Sequence, residues 1–211
     1  MTLTVRNLGI KNQSGQLLFD PLSFNIAGGS FATIMGPSGI GKSTLINAIG
    51  GFLDASFLVH GEINLDGQNL TSLPAEDRAV GVLFQSAHLF PHLNIGQNLS
   101  FGLNQKKLSA DDRNVTIEGA LESVGLSGYY KRDPATLSGG QKARVALMRC
   151  ILSEPKAILL DEPFGSLDEH TKIDMRQLVI DYVERARIPA LLVTHDSEEQ
   201  IGALIKLKVS S

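Results

Sequence analysis

The feature that most constrains the fold is GPSGIGKST, residues 36–44, which matches the pattern G-x-x-x-x-G-K-[ST]. The apolar run SFATIM precedes it, and the helical pattern of STLINAIGGF overlaps its end. This strand–loop–helix context predicts backbone N–H groups around a phosphate, with Lys42 against its charge and the Ser43 hydroxyl available to Mg²⁺. A glycine-rich turn with an exposed lysine is the alternative, and the complete pattern favours phosphate binding. The predicted phosphate-binding residues are Gly36, Pro37, Ser38, Gly39, Ile40, Gly41, Lys42, Ser43 and Thr44.

Short apolar runs alternate with helical patterns along the chain, which predicts a parallel sheet covered on both faces. Residues 1–70 contain mostly strand-like runs punctuated by Gly and Asn. Helical segments dominate residues 85–152, where the pattern also predicts a polar loop at 104–114. The later strand candidates are AVGVLF (79–84), KAILLD (156–161) and PALLVT (189–194), with a helix around 171–186 between the last two.

Composition argues against a nucleic-acid-binding protein, a disulfide-bonded protein and a membrane-spanning protein. The 211 residues suffice for one substantial core, which can be divided into lobes. The net charge of −3 gives no general electrostatic reason to bind nucleic acid. Cys150 is the single cysteine, so no internal disulfide can form. The chain opens without a signal-like segment and has no run of 18 apolar residues. We therefore expect a soluble protein whose role at a membrane requires a separate membrane partner.

Polar side chains follow three of the strand candidates. AILLDEP ends in Asp161 and Glu162, LLVTHD delivers His195, and Gln85 follows GVLF. Ligands bind beyond the carboxyl ends of strands in open parallel sheets, so these side chains should face the phosphate-binding loop. Asp161 is the candidate ligand of Mg²⁺, and Glu162 is the candidate base for an attacking water. Taken singly, an acidic turn, an exposed histidine and a glutamine after a strand have ordinary structural explanations.

The segment ATLSGGQKARVALMRC, beginning at residue 135, combines a helix start with two glycines. Ser138 and Gln141 have the spacing of a capping box, and the apolar stripe that follows predicts a helix running to Glu154. A cap does not explain Gly139 and Gly140, each of which costs up to about 1 kcal/mol relative to Ala. Paired glycines allow close approach, and free N–H groups at a helix start favour an anion. The segment therefore predicts contact with a phosphate.

Taken together, these motifs resemble the ATP-binding subunit of ABC transporters over nearly the whole chain. The resemblance rests on the loop at 36–44, Gln85, LSGGQ at 137–141, ILLDEP at 158–163, SLD at 166–168 and His195. It implies a P-loop NTPase core with a parallel sheet, an N-terminal antiparallel β subdomain and an inserted helical subdomain. The implied boundaries are about 1–84 and 153–211 for the core and about 85–152 for the helical subdomain.

The resemblance also implies how the LSGGQ segment works. Two copies would form an ATP-dependent homodimer, head to tail, in which Ser138, Gly139, Gly140 and Gln141 meet the ATP held by the partner. Gln85 would sense Mg²⁺ and the attacking water, and His195 would contact the γ-phosphate. Ser166 and Asp168 would lie at the dimer interface. ATP and Mg²⁺ are the implied ligands, Glu162, His195 and Gln85 the catalytic residues, and Ser43, Asp161 and Gln85 the metal-binding residues.

Residues 83–103 are similar to importer ATPases of the compact thiamine type and iron(III) type, and to uncharacterised bacterial relatives of these. The implied partners are transmembrane permease subunits and a solute-binding protein of the same system, and no nucleic acid. The implied location is cytoplasmic, on the inner face of the cell membrane through the permease. Two departures accompany the resemblance. Ile10 to Gln13 contain no aromatic residue to stack on adenine, and Phe19 lies farther along. By comparison with the larger sugar-importer relatives, we also expect no regulation through a C-terminal domain.

Other classes account for less of the sequence. A non-transport ABC ATPase acting on a soluble macromolecular complex usually carries two cassettes, long insertions or basic tails. A small P-loop kinase or GTPase would explain residues 36–44 but not LSGGQ or SLD. A nucleotide-gated regulatory subunit would not need Glu162 and His195. An exporter-type ABC subunit is the remaining alternative to the predicted importer.

Overall fold

The computed structural model describes residues 1–103, 108–165 and 167–208. They form two compact units: the first takes in residues 1–82, 156–162 and those from 179 onward, and the second takes in 83–155 and 163–178. The strands are β1 (Thr2–Lys11), β2 (Leu22–Ala27), β3 (Phe31–Met35), β4 (Leu58–Leu65), β5 (Gln68–Asn69), β6 (Val80–Leu83), β7 (Ala157–Asp161), β8 (Ala190–Thr194) and β9 (Ala203–Lys206). The helices are α1 (Lys42–Gly50), α2 (Ile95–Ser100), α3 (Ala110–Ser123), α4 (Gly139–Ile151) and α5 (Glu169–Ala186).

The strands form two sheets. Strands β2, β1, β4 and β5 make an antiparallel sheet in that order. The other sheet has the order β6-β7-β8-β3-β9, and within it β3 pairs in parallel with β8 and β9, as β7 does with β8. The predicted α/β fold, with a parallel core and an N-terminal antiparallel sheet, is confirmed.

Helix α1 is anchored in the core of the first unit. Leu45, Ile46 and Ile49 are fully buried, in the same apolar cluster as Leu159 of β7 and Val193 of β8. Burying an aliphatic side chain of this size contributes about 1.5–3 kcal/mol. The start of α1, and with it the loop at 36–44, is therefore held against the carboxyl ends of the central strands.

The second unit is helical, and its helices begin at side-chain caps. Ser138 and Gln141 form the predicted capping box at the start of α4. A second capping box, made by Asn94 and Gln97, begins α2. Helix α4 contacts both α2 and α3, and Leu147 of its apolar stripe is fully buried.

Two predicted boundaries are wrong. Helix α3 begins at Ala110, inside the predicted polar loop, because Ser109 Oγ accepts the N–H of Asp112 and acidic residues in a first turn favour the helix. Helix α4 ends at Ile151 rather than Glu154, since Glu154 has a φ of 50°, outside the helical region. Residues 104–107 of the predicted loop lie outside the described residues. Within the described part of the chain, no helix is both long enough and apolar enough to cross a membrane.

Candidate nucleotide-binding site

The loop at 36–44 joins β3 to α1 through two glycines with positive φ. Gly39 has a φ of 82° and Gly41 a φ of 104°, conformations that side chains rarely adopt. Gly41 is the N-cap of α1, and no side chain caps the helix there. The first N–H groups of α1 are therefore left for an anion, as the sequence pattern predicts.

An open cavity of about 370 Å³ lies over the loop and the end of β7. Its lining residues are Ser38, Gly39, Gly41, Lys42, Ser43, Thr44 and Glu162. The Lys42 side chain is only 5% exposed, and its Nζ donates to the carbonyl oxygens of Gly36 and Pro37 at 2.9 and 3.1 Å. In this structure the Lys42 ammonium thus binds the backbone of the loop that precedes it, and it lies 3.9 Å from the Glu162 carboxylate.

The side-chain oxygens of Ser43, at the start of α1, and Asp161, at the end of β7, form a pair suited to a hard cation. The Ser43 hydroxyl donates to Asp161 Oδ1 at 3.1 Å, which links the start of α1 to the strand. Burial raises the pKa of Asp161, and the charge of Glu162 raises it further, while the Ser43 hydrogen bond and Lys42 oppose the shift. The ionised form of Asp161 is therefore destabilised, and the positive charge of a bound cation would stabilise it.

Glu162 is held in an uncommon backbone conformation between the side chains of Lys42 and His195. Its φ is 45°, and its N–H donates to the carbonyl oxygen of Val193 on β8 at 2.9 Å. Its Oε1 lies 3.2 Å from His195 Nδ1 as well as 3.9 Å from Lys42 Nζ. A non-glycine residue with positive φ costs about 1–3 kcal/mol and is common at functional sites. The structure thus brings Lys42, Ser43, Asp161, Glu162 and His195 together within the first unit.

The LSGGQ residues and Asp168 lie in the second unit, where the structure changes the explanation of the glycines. A Cβ on Gly140 would be 2.8 Å from Thr171 Cγ2, so Gly140 has an intramolecular reason to be glycine. A Cβ on Gly139 would meet nothing within 4 Å, and this glycine has no such reason. Thr171 thus gives Gly140 a second reason to be glycine, whereas Gly139 has none within the chain, and the contact of both glycines with a phosphate stays a prediction.

Asp168 fixes the residue that crowds Gly140. Its carboxylate accepts the N–H and the hydroxyl of Thr171 at 3.0 and 2.7 Å, and these hydrogen bonds lower the pKa of Asp168. Gln85 also belongs to the second unit, exposed just beyond β6. Ser166 lies outside the described residues. The predicted roles of these residues in nucleotide binding stay predictions; they are Gln85, Ser138, Gly139, Gly140, Gln141 and Asp168.

Sequence reasoning missed Arg78, which supports the far end of α1. The buried guanidinium donates to the carbonyl oxygens of Ala48 and Ile49 at 2.7 and 2.9 Å, and to that of Leu73 at 2.8 Å. Burial lowers the pKa of Arg78, yet a cation at a helix C-terminus is favourable. A single arginine in a polar segment does not indicate this role, because its two acceptors on α1 lie 30 and 29 residues away in sequence.

Phe19 is not available to stack on a nucleobase. Its side chain is fully buried in the core of the first unit. A Cβ on Gly41 would lie 3.4 Å from Phe19 Cδ1 and 3.2 Å from Leu18 Cδ1. Phe19 therefore packs against the phosphate-binding loop from inside, and it does not replace the aromatic residue missing from Ile10 to Gln13.

Comparisons with known proteins agree with this geometry. A profile of the ABC transporter family matches residues 19–165. An uncharacterised ABC transporter ATP-binding protein, YnjD of Escherichia coli, is 43% identical over 197 residues, 93% of this chain and 90% of YnjD. PotG of E. coli, a putrescine transport ATP-binding protein, is 41% identical over 93% of this chain and 51% of its own length.

PotA of Bacteroides fragilis, a spermidine/putrescine import ATP-binding protein, is 42% identical over 86% of this chain. The match covers 39% of PotA, so the chain spans well under two thirds of both named polyamine relatives. Among solved structures, a dimeric post-hydrolysis state of the ATP-binding cassette MJ0796, bound to ADP and phosphate, matches with a TM-score of 0.82 and 29% identity. That match covers 98% of this chain and 94% of MJ0796.

The family match, the relatives and the phosphate-binding site lead to one conclusion. The chain belongs to the ABC transporter family, as an ATP-binding and ATP-hydrolysing subunit.

Proposed function

We propose that the chain energises solute import through a separate membrane permease, by binding ATP between two copies of itself and then hydrolysing it. The observation that carries the proposal is the group of Lys42, Glu162 and His195 beside the phosphate-binding loop. Import is supported by the similarity to PotA, a spermidine/putrescine import ATP-binding protein, and a two-chain arrangement by the dimeric form of MJ0796. Permease subunits and a solute-binding protein are the proposed partners, with the chain placed at the cytoplasmic face of the membrane through the permease.

The residues of the first unit divide the work of ATP hydrolysis. N–H groups at the start of α1 and the ammonium of Lys42 bind the phosphates and offset their charge, which is the main requirement of phosphoryl transfer. Glu162 orients the attacking water and accepts its proton, and His195 holds Glu162 and meets the γ-phosphate from β8. For this to happen, Lys42 exchanges its bonds to the carbonyls of Gly36 and Pro37 for bonds to phosphate oxygens.

Ser43 and Asp161 are the proposed protein ligands of Mg²⁺. Their oxygens are 3.1 Å apart, both are hard ligands, and the raised pKa of Asp161 favours a cation there. Among the described residues, no cluster of three or more His, Cys, Asp and Glu side chains could hold a metal without a substrate. Mg²⁺ usually binds through one or two protein oxygens together with substrate phosphates, and it neutralises charge that develops on them.

The second unit supplies the contact with the other copy. Ser138, Gly139, Gly140 and Gln141 at the start of α4, together with Asp168, are the proposed contacts with the partner's nucleotide. Ser138 and Gly139 are exposed, and the side-chain cap holds the helix start rigid. Gln85 is proposed to report on the nucleotide to the permease, which docks on the second unit near the exposed aromatic pair Phe90 and Phe101.

The experiment is a comparison of ATP turnover by the wild-type chain and by Glu162→Gln. We expect turnover to fall at least about 100-fold while ATP binding is retained, because glutamine keeps the shape but cannot accept a proton. Glu122→Gln, an exposed change on α3, is the matched control and should behave like wild type. Wild-type turnover in Glu162→Gln would refute the assigned role.

A further inference from the structure

A buried hydrogen bond next to His195 has no part in the chemistry described above. Thr194, the last residue of β8, is 1% exposed, and Glu199 is 2% exposed. The Thr194 hydroxyl donates to Glu199 Oε2 at 2.6 Å. Burying a carboxylate is costly unless it is well hydrogen-bonded, so its presence five residues beyond the strand calls for a specific role.

The same hydroxyl binds the chain on the far side of His195. Thr194 Oγ1 accepts the N–H of Asp196 at 3.1 Å, so one side chain fixes the residues before and after the histidine. Asp196 in turn caps the short 3₁₀ helix Ser197–Glu199 by accepting the N–H of Glu198 at 2.9 Å. The chain from Thr194 to Glu199 therefore forms a closed turn with the Thr194–Glu199 hydrogen bond across it.

The turn is anchored to the sheet at its other end as well. The N–H of Ile201 donates to Thr33 Oγ1 at 3.0 Å, and the Thr33 hydroxyl lies 2.7 Å from the Ile201 carbonyl oxygen. Thr33 is fully buried on β3, which pairs directly with β8. The turn is thus attached to two adjacent strands of the central sheet.

His195 depends on this turn because its own side chain is poorly packed. The imidazole is 57% exposed, and its Nδ1 lies 3.2 Å from Glu162 Oε1. The backbone sets the direction of the Cα–Cβ bond, and burial contacts that would restrict the side-chain rotamers are few here. The direction in which His195 leaves β8 is therefore set mainly by the turn beneath it.

We propose that Thr194 and Glu199 are positioning residues, which hold the backbone of His195 so that its imidazole reaches Glu162 and the γ-phosphate. This inference rests on the proposed function, because it assumes that His195 acts in hydrolysis. The hydroxyl of Thr194 and an acceptor oxygen at position 199 are the groups required, and both are buried in the turn.

The test is steady-state ATP hydrolysis by Thr194→Val and Thr194→Ser. Valine keeps the shape but removes the hydroxyl, and we expect kcat to fall about 10- to 100-fold, the cost of a displaced catalytic group, with KM for Mg·ATP within about twofold. Serine keeps the hydroxyl and should retain at least half of the wild-type kcat. Equal kcat for the two variants would overturn the inference, as would a loss confined to KM.

Glu199 provides an independent pair of variants. Glu199→Gln keeps an acceptor oxygen for the Thr194 hydroxyl and should retain kcat. Glu199→Asp has a side chain shorter by one methylene, so its carboxylate no longer reaches the Thr194 hydroxyl, and kcat should fall. These two variants test the same hydrogen bond if thermal unfolding shows that Thr194→Val does not fold. A kcat for Glu199→Asp equal to that of wild type would count against the inference.

A double-mutant cycle with His195→Ala separates this inference from the proposed function. If Thr194 acts through His195, then Thr194→Val should cause no further loss of kcat in the His195→Ala background. Equal loss in both backgrounds would show a general structural effect and refute the inference. Wild-type turnover by His195→Ala itself would instead refute the role of His195, whatever the result for Thr194→Val.

Discussion

Replacing Gly139 by alanine should make the protein more stable and less active. Gly139 is the first residue of α4, it does not have a positive φ, and a Cβ there would meet nothing within 4 Å. The methyl group therefore adds no clash and removes conformational freedom from the unfolded chain. Such a change contributes about 0.4–1 kcal/mol to stability, or a rise in Tm of about 1–4 °C for a protein of this size.

The same methyl group should interfere with ATP hydrolysis. Gly139 is proposed to face the nucleotide of the partner, where a backbone N–H has to come close to a phosphate. A Cβ at that surface keeps the phosphate from its hydrogen bonds, and loss of one such contact costs about 100- to 1000-fold in turnover. Gain of stability with loss of turnover is the combination that a purely structural role for Gly139 cannot produce.

The assay measures thermal unfolding and ATP turnover of Gly139→Ala beside Gly119→Ala. Gly119 lies in the middle of α3, also without a positive φ and with nothing within 4 Å of a Cβ. Gly119→Ala should thus gain stability and keep full turnover. If Gly139→Ala hydrolyses ATP at the wild-type rate, no nucleotide approaches the start of α4, and the account of this segment is refuted.

Three further variants test other parts of the account. Lys42→Ala should weaken ATP binding about 10- to 100-fold, since hydrogen bonds to a charged group contribute about 1.5–3 kcal/mol; unchanged affinity in a calorimetric titration would refute the phosphate-binding role. Arg78→Met should lower the free energy of urea unfolding by about 3 kcal/mol, because three carbonyl groups lose their donor; a loss below about 0.5 kcal/mol would contradict this. Asp161→Asn, without Mg²⁺, should unfold at higher urea concentration than wild type at pH 8, with a smaller difference at pH 4. Because the pKa of Asp161 is raised in the folded protein, ionisation of Asp161 destabilises the fold once the pH exceeds 3.8, the ordinary pKa of an aspartate. Asparagine does not ionise, so the variant avoids this loss. Equal urea midpoints for the two proteins at pH 8 would contradict the raised pKa.

Local signals in the sequence predicted most of the elements that carry the site. The motif at 36–44 located β3 and α1, and the spacing of Ser138 and Gln141 located the start of α4. These features depend on residues within a few positions of one another, such as a cap or a glycine with positive φ. The apolar runs that became β7 and β8 are fully buried, so their composition alone marks them as central strands.

What the sequence did not predict depends on contacts between distant residues. The capping role of Arg78 needs the end of α1 to fold back against it, and the reason for glycine at position 140 is Thr171 on another helix. Strand β9 has only four residues, of which none is buried, and its pairing with β3 marks it as a strand. The hydrogen bond from Thr194 to Glu199 is close in sequence, but its burial is a property of the folded sheet.

The central claim is that ATP joins two copies of this chain through Gly139 and its neighbours. Sedimentation velocity of Glu162→Gln, with and without Mg·ATP, tests it most directly, because slow hydrolysis keeps the nucleotide in place. The account predicts a monomer without nucleotide, a dimer with Mg·ATP, and a return to monomer when Ser138→Arg is added. A chain that stays monomeric with Mg·ATP, or a dimer that survives Ser138→Arg, would contradict it.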